Sequence, residues 1–164
     1  MADLLVIGGS PGSGKSTVCE LLRAELASPF IEFSSLRQFH LDQEWKSQSA
    51  EEESMAFENL IYIVRNYVRH GWSKVIVTDL RDFRVVQIPD AFGDLDYLIA
   101  TLVVDTDDEI AHRIQSRNEG WKDVEGAVSW NRQVRSREPV KGECKIASSH
   151  GDPRMTVEAI MGLL

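Results

Sequence analysis

Gly9-Ser10-Pro11-Gly12-Ser13-Gly14-Lys15-Ser16 fits the spacing Gly-x-x-x-x-Gly-Lys-[Ser/Thr] without a mismatch. Leu4-Leu5-Val6-Ile7 stands just ahead of it, a short apolar run suited to a buried parallel strand. Behind it, Val18, Leu21, Leu22 and Leu26 recur at helical spacing. Strand, glycine loop and helix together supply the context of a phosphate-binding loop. Backbone N–H groups of such a loop converge on a β-phosphate, and the start of the helix adds partial positive charge. Gly9 to Ser16, with Thr17 following, are therefore the expected nucleotide-binding residues. Lys15 is expected to reach the β- and γ-phosphates, and the Ser16 hydroxyl to ligate Mg²⁺.

At 164 residues the chain is expected to form one domain. Eighteen Lys and Arg against 26 Asp and Glu give a net charge of −8. That balance argues against a broad surface for a phosphate backbone, so no nucleic-acid partner is expected. Cys19 and Cys144 show no Cys-x-x-Cys or metal-ligand spacing, and two lone thiols suit a reducing cytosol. The opening Met1-Ala2-Asp3-Leu4-Leu5 lacks the basic start and long apolar stretch of a signal peptide. No apolar run approaches the length of about 18 residues needed to span a membrane. The expectation is a cytoplasmic protein with no membrane partner.

Further strands are predicted at Phe30 to Phe33, Lys74 to Asp79, Tyr97 to Val104, and near Cys144 to Ala147. Ser34-Ser35-Leu36-Arg37 reads as a turn into a short helix, and His40 to Ser54 as mostly solvated. Ser49 with Glu52 has capping-box spacing and opens a helix whose stripe is Phe57, Leu60, Ile61, Val64 and Val68, ending near Gly71. Thr106 with Glu109 repeats the box for a helix to about Asn118, placing Arg113 and Arg117 four apart on one face. Another helix is expected from about Asp123 to Arg137. A last one is capped by Asp152, with Pro153 at its first position. Alternating strands and helices predict an α/β fold, a parallel sheet covered on both faces. Ligands in such folds sit at the carboxyl ends of the strands.

Asp79 ends an apolar strand, where a carboxylate can hold Mg²⁺ directly or through water. Arg81 and Arg84 follow it, and Arg37 follows the second strand; guanidinium forks match phosphate or carboxylate, so an anionic acceptor is expected there. Pairing with Glu32, Asp82 or the Glu51–Glu53 run is the competing reading. Arg113 and Arg117 are expected as catalytic cover over a triphosphate, excluding water and neutralising transferring charge, with Arg132 and Arg135 as further candidates. The four histidines read as structural, and Trp45, Trp121 and Trp130 read as packing more readily than as base-stacking platforms.

In these residues the chain resembles the small P-loop kinases related to adenylate kinase, which phosphorylate nucleosides, nucleotides or other small metabolites. The likeness is strongest at Gly9 to Thr17, good at Ser34-Ser35-Leu36-Arg37, recognisable at Val75 to Asp79, and loosest at Arg113-x-x-x-Arg117, similar to lid arginines. It implies a three-layer α/β/α domain over residues 1–164, with five parallel strands in the order 2-3-1-4-5, ATP as donor, Mg²⁺ and lid closure. It also implies an acceptor-binding insertion over about 34–70, a lid-like segment over about 113–137, and a loop from Ser148 to Asp152 bordering adenine. Asp79-Leu80-Arg81-Asp82-Phe83-Arg84 replaces the adenylate-kinase run Asp-Gly-x-Pro-Arg, and either Arg81 or Arg84 can stand for that arginine. Thr78-Asp79-Leu80-Arg81 is also similar to phage-type deoxynucleoside monophosphate kinases, and no four-cysteine zinc lid is present.

The expected function is ATP-dependent transfer of the γ-phosphoryl group to a nucleoside monophosphate or nucleoside. A small-metabolite kinase and a nucleotide-binding regulatory ATPase are the alternatives. A GTPase is disfavoured, since neither Asn-Lys-x-Asp nor Thr-Lys-x-Asp occurs.

Overall fold

The computed structural model describes residues 2–37, 49–148 and 151–164. Most of the stretch predicted to be solvated, with His40 and Trp45, lies outside the described residues, as do Ser149 and His150. Five strands form one sheet: β1 (Leu4–Gly9), β2 (Phe30–Glu32), β3 (Val75–Thr78), β4 (Tyr97–Val103) and β5 (Glu143–Ala147). Their order is β2-β3-β1-β4-β5, and every pairing is parallel. The fold is thus the α/β arrangement with the predicted strand order.

β1 is buried along its whole length, because both of its faces are covered and both of its edges are paired. Side-chain alternation sorts its residues between two cores. On one face Leu4 and Val6 meet Val75, Val77 and Ile99 beneath α3 (Ala50–Arg69), which contributes Phe57, Leu60 and Val64. On the other, Leu5 and Ile7 join Ile76, Ala100 and Leu102 beneath α1 (Lys15–Leu26) and α8 (Pro153–Met161). Among the described residues, no helix is long and apolar enough to cross a membrane.

Local chemistry sets the helix starts. The Ser49 hydroxyl accepts the Glu52 N–H at 3.1 Å to open α3, and the Thr106 hydroxyl accepts the Glu109 N–H at 3.3 Å to open α6 (Asp107–Gln115). Asp123 caps α7 (Val124–Ser136) through the Gly126 N–H at 2.9 Å, and Asp152 caps α8 through the Arg154 N–H at 3.0 Å. Phe33–Leu36 forms the short helix α2 expected after the second strand.

Two features depart from expectation. Residues after β3 fold into the single-turn helices α4 (Asp82–Val85) and α5 (Ile88–Ala91), which bury Val85, Ile88 and Phe92. One turn is too short to print a helical period in the sequence. The start of α3 is also less solvated than its composition suggests, since Glu52 and Glu53 are buried.

A polar network replaces apolar packing where β4 and β5 meet α4. Arg137 donates from Nε and Nη2 to Asp82 at 2.9 and 2.8 Å, and from Nη1 and Nη2 to Glu143 at 2.6 and 2.8 Å. Glu143, fully buried, also accepts from Thr101 Oγ1 at 2.5 Å and from the Val140 N–H at 2.8 Å. Both carboxylates hold the Arg137 guanidinium well above its ordinary value, Glu143 most strongly.

Candidate active site

At the end of β1 the backbone turns through Gly9, at φ +132°. A Cβ there would lie 2.6 Å from the Leu102 carbonyl oxygen, so no side chain fits. Gly14, at φ +93°, stands immediately before α1 in the left-handed region and aims the first N–H groups of that helix across the loop. The hydroxyls of Ser10 and Ser13 are buried without a hydrogen-bond partner among the described residues. Unmet buried donors on such a loop suit an anionic oxygen.

Lys15 donates from Nζ to the carbonyls of Gly9 at 2.8 Å and Ser10 at 2.9 Å. An ammonium carries three N–H donors, so one remains beyond its own loop. Burial lowers its pKa to about 8, against an opposing pull from the Asp79 carboxylate. Asp79 sits just past β3 at φ +67°, a left-handed conformation that turns the chain sharply beside the loop.

Two cavities open above these groups. The first, about 460 Å³, runs from Gly12, Gly14 and Thr17 past Arg113 to Ser148 and Met155. The second, about 420 Å³, lies on the other side of the loop between Lys15, Ser16 and Asp79 and the side chains of Arg37, Arg81 and Trp130. Gly12, Gly14 and Arg117 line both. The volumes lie within the range of small-molecule sites. Among the described residues, four cationic side chains and one carboxylate line the second cavity, in a chain whose net charge is −8.

The predicted arginines part company here. Arg37 and Arg81 reach the second cavity, and Arg84 reaches neither. Its guanidinium donates to Glu53 at 2.5 and 3.0 Å and to Gln87 at 2.7 Å, and lies 4.5 Å from the Phe57 ring centre. Arg84 therefore leaves the expected substrate-binding set and acts as a tie between α4 and α3. Arg113 is at the first cavity, cross-bracing the Gly12 carbonyl at 3.1 Å and the Ser148 carbonyl at 2.7 Å and pairing with Glu109. Arg132 pairs with Asp107 at 2.6 Å, and Arg135 donates to the carbonyls of Val104 and Asp105. Both stand outside the cavities and fasten α7.

Asn131, fully buried, fastens it further. Its side chain accepts the Val104 N–H at 3.1 Å and donates to the Val104 carbonyl at 2.8 Å, fixing α7 to the end of β4. Neither Asn131 nor the Asp82–Arg137–Glu143 network is marked by local spacing, because their partners come from remote stretches of the chain. Asp82, read above as a possible pairing partner of the nearby arginines, is committed to Arg137, whereas Asp79 lines the second cavity. Trp121 and Trp130 stand at the second cavity rather than in either main core.

This geometry and strand order define the fold of the small P-loop kinases. No family model matches the sequence, and no curated protein does. Solved structures supply the likeness. The chain superposes on a sugar kinase from Janibacter sp. HTCC2649 with a TM-score of 0.69 at 15% identity, covering 99% of this chain and 94% of that one. A gluconokinase from Sinorhizobium meliloti 1021 gives a TM-score of 0.67 at 16% identity, with 99% and 91% covered. Shikimate kinase from Acinetobacter baumannii, in complex with shikimate, gives 0.62 at 17% identity, with 99% and 92% covered.

Proposed function

We propose that the protein is an ATP-dependent phosphotransferase that moves the γ-phosphoryl group to a small acceptor, a nucleoside monophosphate or nucleoside. One observation carries the reading: donor-side and acceptor-side cavities meet over the phosphate-binding loop, with Arg117 lining both. A regulatory ATPase would use the first cavity and the Lys15, Ser16 and Asp79 part of the second, but it has no need of the Arg37 and Arg81 side chains beyond them. A second, strongly cationic cavity on the γ-phosphate side calls for an anionic partner.

In this reading the loop amides and Lys15 hold the β- and γ-phosphates, and Arg117 sits where charge develops during transfer. Arg37 and Arg81 hold the acceptor's anionic group. Gly9 to Thr17 bind nucleotide, and Arg113 braces the loop against the strand end that borders the adenine. An acceptor oxygen attacks the γ-phosphorus, the bond to the β–γ bridging oxygen breaks, and ADP departs. A phosphate acceptor is already ionised and gives up no proton; for an alcohol, Asp79 is positioned to take one. Catalysis is then positioning and electrostatics, with water kept out by the segment over residues 113–137.

Magnesium suits this donor set. Ser16 and Asp79 border one cavity and offer one hydroxyl and one carboxylate, the sparse oxygen set of an ion carried mainly by phosphates and water. No group of three or more His, Cys, Asp or Glu that could hold a metal occurs among the described residues. When bound, the ion would neutralise charge on the β- and γ-oxygens.

The sugar, gluconate and shikimate kinase neighbours favour a second reading, transfer to a hydroxylated metabolite at the same site. The two free cysteines, Cys19 and Cys144, support a reducing, cytoplasmic setting. The test is an ADP-release screen across nucleoside monophosphates, nucleosides and hydroxylated or carboxylated metabolites, with product identification. One phosphorylated product per ADP is expected, and Lys15→Ala should abolish it with the thermal transition unchanged. Release of inorganic phosphate with every acceptor, or transfer that survives Lys15→Ala, would refute the proposal.

A further inference from the structure

On the second cavity, opposite the phosphate-binding loop, stand Trp121 and Trp130. Their ring centres lie 6.4 Å apart at an interplanar angle of 81°, an edge-to-face pair. Each is tied to α7. The Trp121 indole donates to the Asp123 carbonyl at 2.8 Å, at the cap of α7. Trp130 immediately precedes Asn131, whose two bonds to Val104 lock that turn of α7 to the sheet.

Neither tryptophan belongs to the two main cores. Trp121 is 41% exposed and lines a cavity that it shares with Lys15, Arg37, Arg81 and Arg117. The indole Nε1 of Trp130 is covered from solvent and has no hydrogen-bond partner among the described residues. An aromatic pair lining the same cavity as guanidinium groups is suited to a molecule with an anionic end and a flat ring.

Taking the second cavity as the acceptor site, we propose that Trp121 and Trp130 are its specificity determinants. The pair packs against the nucleobase of a nucleoside monophosphate. Arg37 and Arg81 hold the phosphate. Aromatic stacking on a base is sequence-tolerant and worth about 5- to 150-fold in affinity, so the pair selects for a base as a class.

The test is calorimetric binding of each nucleoside monophosphate, and of ribose 5-phosphate as the matched ligand without a base. Wild type is compared with Trp121→Leu, Trp130→Leu and Trp130→Phe. The expected result is at least about tenfold tighter binding of one or more nucleoside monophosphates than of ribose 5-phosphate. That preference should collapse in both leucine variants. Trp130→Phe keeps an aromatic face, so its fall should be smaller. ATP affinity and the melting transition should hold in all three variants. In turnover with the preferred monophosphate, acceptor KM should rise far more than kcat falls. Equal binding of ribose 5-phosphate, no binding of any monophosphate, or a base preference that persists without the tryptophans would each overturn the assignment. Phosphoryl transfer to a sugar or a carboxylate would leave the kinase reading standing while this one fell.

Discussion

Replacing Arg137 with methionine keeps a long apolar stem but leaves Asp82 and Glu143 facing each other without their cation. Both carboxylates are close, with guanidinium bonds of 2.6 to 2.9 Å, and Glu143 is fully buried. Removing one partner of a buried ion pair costs about 3–5 kcal/mol, because the charge left behind has neither water nor a counter-ion. For a domain of this size each kcal/mol shifts the melting temperature by roughly 2–4 °C, so a fall of roughly 6–20 °C is expected. The pH dependence gives a sharper check. Burial pushes the Glu143 carboxyl up, but Arg137, Thr101 and the Val140 amide together hold it below its ordinary value. A depressed carboxylate stabilises the fold above its unfolded pKa, and that contribution is lost as pH falls through the folded value. Without Arg137 the upward push dominates, so the variant takes up its proton at higher pH and relieves part of its penalty. The gap between wild type and variant should therefore be widest near pH 7 and narrow below about pH 5. Circular-dichroism melts at both ends of that range measure it. A fall under about 3 °C at neutral pH, or a gap that widens in acid, would refute the reasoning.

Other perturbations follow from the site. Lys15, lowered by burial to about 8, should be raised by a bound polyphosphate, so nucleotide binding at pH 8.5 should take up protons and weaken as pH rises; calorimetry in buffers of different ionisation enthalpy reads this, and no uptake would contradict it. Arg81→Ala should raise acceptor KM by about 10- to 100-fold with the ATP KM and stability little changed. Arg84→Ala should do the reverse, costing about 3 kcal/mol by stranding Glu53 while acceptor KM holds, and chemical denaturation beside steady-state kinetics separates the two.

The opening loop was legible because its chemistry is local. Glycines at fixed offsets, one lysine and one hydroxyl lie within eight consecutive residues, between a strand and a helix that each print their own period. The capped helix starts were legible for the same reason, since a side chain at Ser49 or Thr106 needs only the N–H three residues on. Arg81 and Arg84 could not be told apart in advance. Both follow Asp79 within one hexapeptide, and only the turn of α4 places Arg81 at its extended N-cap, beside the cavity, and Arg84 against Glu53. The tryptophans read as packing because an aromatic side chain lining a cavity and one filling a core leave the same mark on a single sequence.

The clamp of Asn131 on Val104 has a mechanical corollary. With α7 bolted to the sheet at both Asn131 and Arg135, a closing stroke cannot swing that helix as a body. If the site closes over nucleotide as proposed, the movement falls to the linker between α6 and α7, where Gly120 stands at φ +87° and Arg117 lines both cavities. Amide exchange should slow across residues 116–122 when ATP is added and stay unaltered around Asn131. Protection spreading evenly along α7 would show that the bolt slips. On that reading the closing part is a flap of a few residues, and its travel is a matter of one arginine's reach.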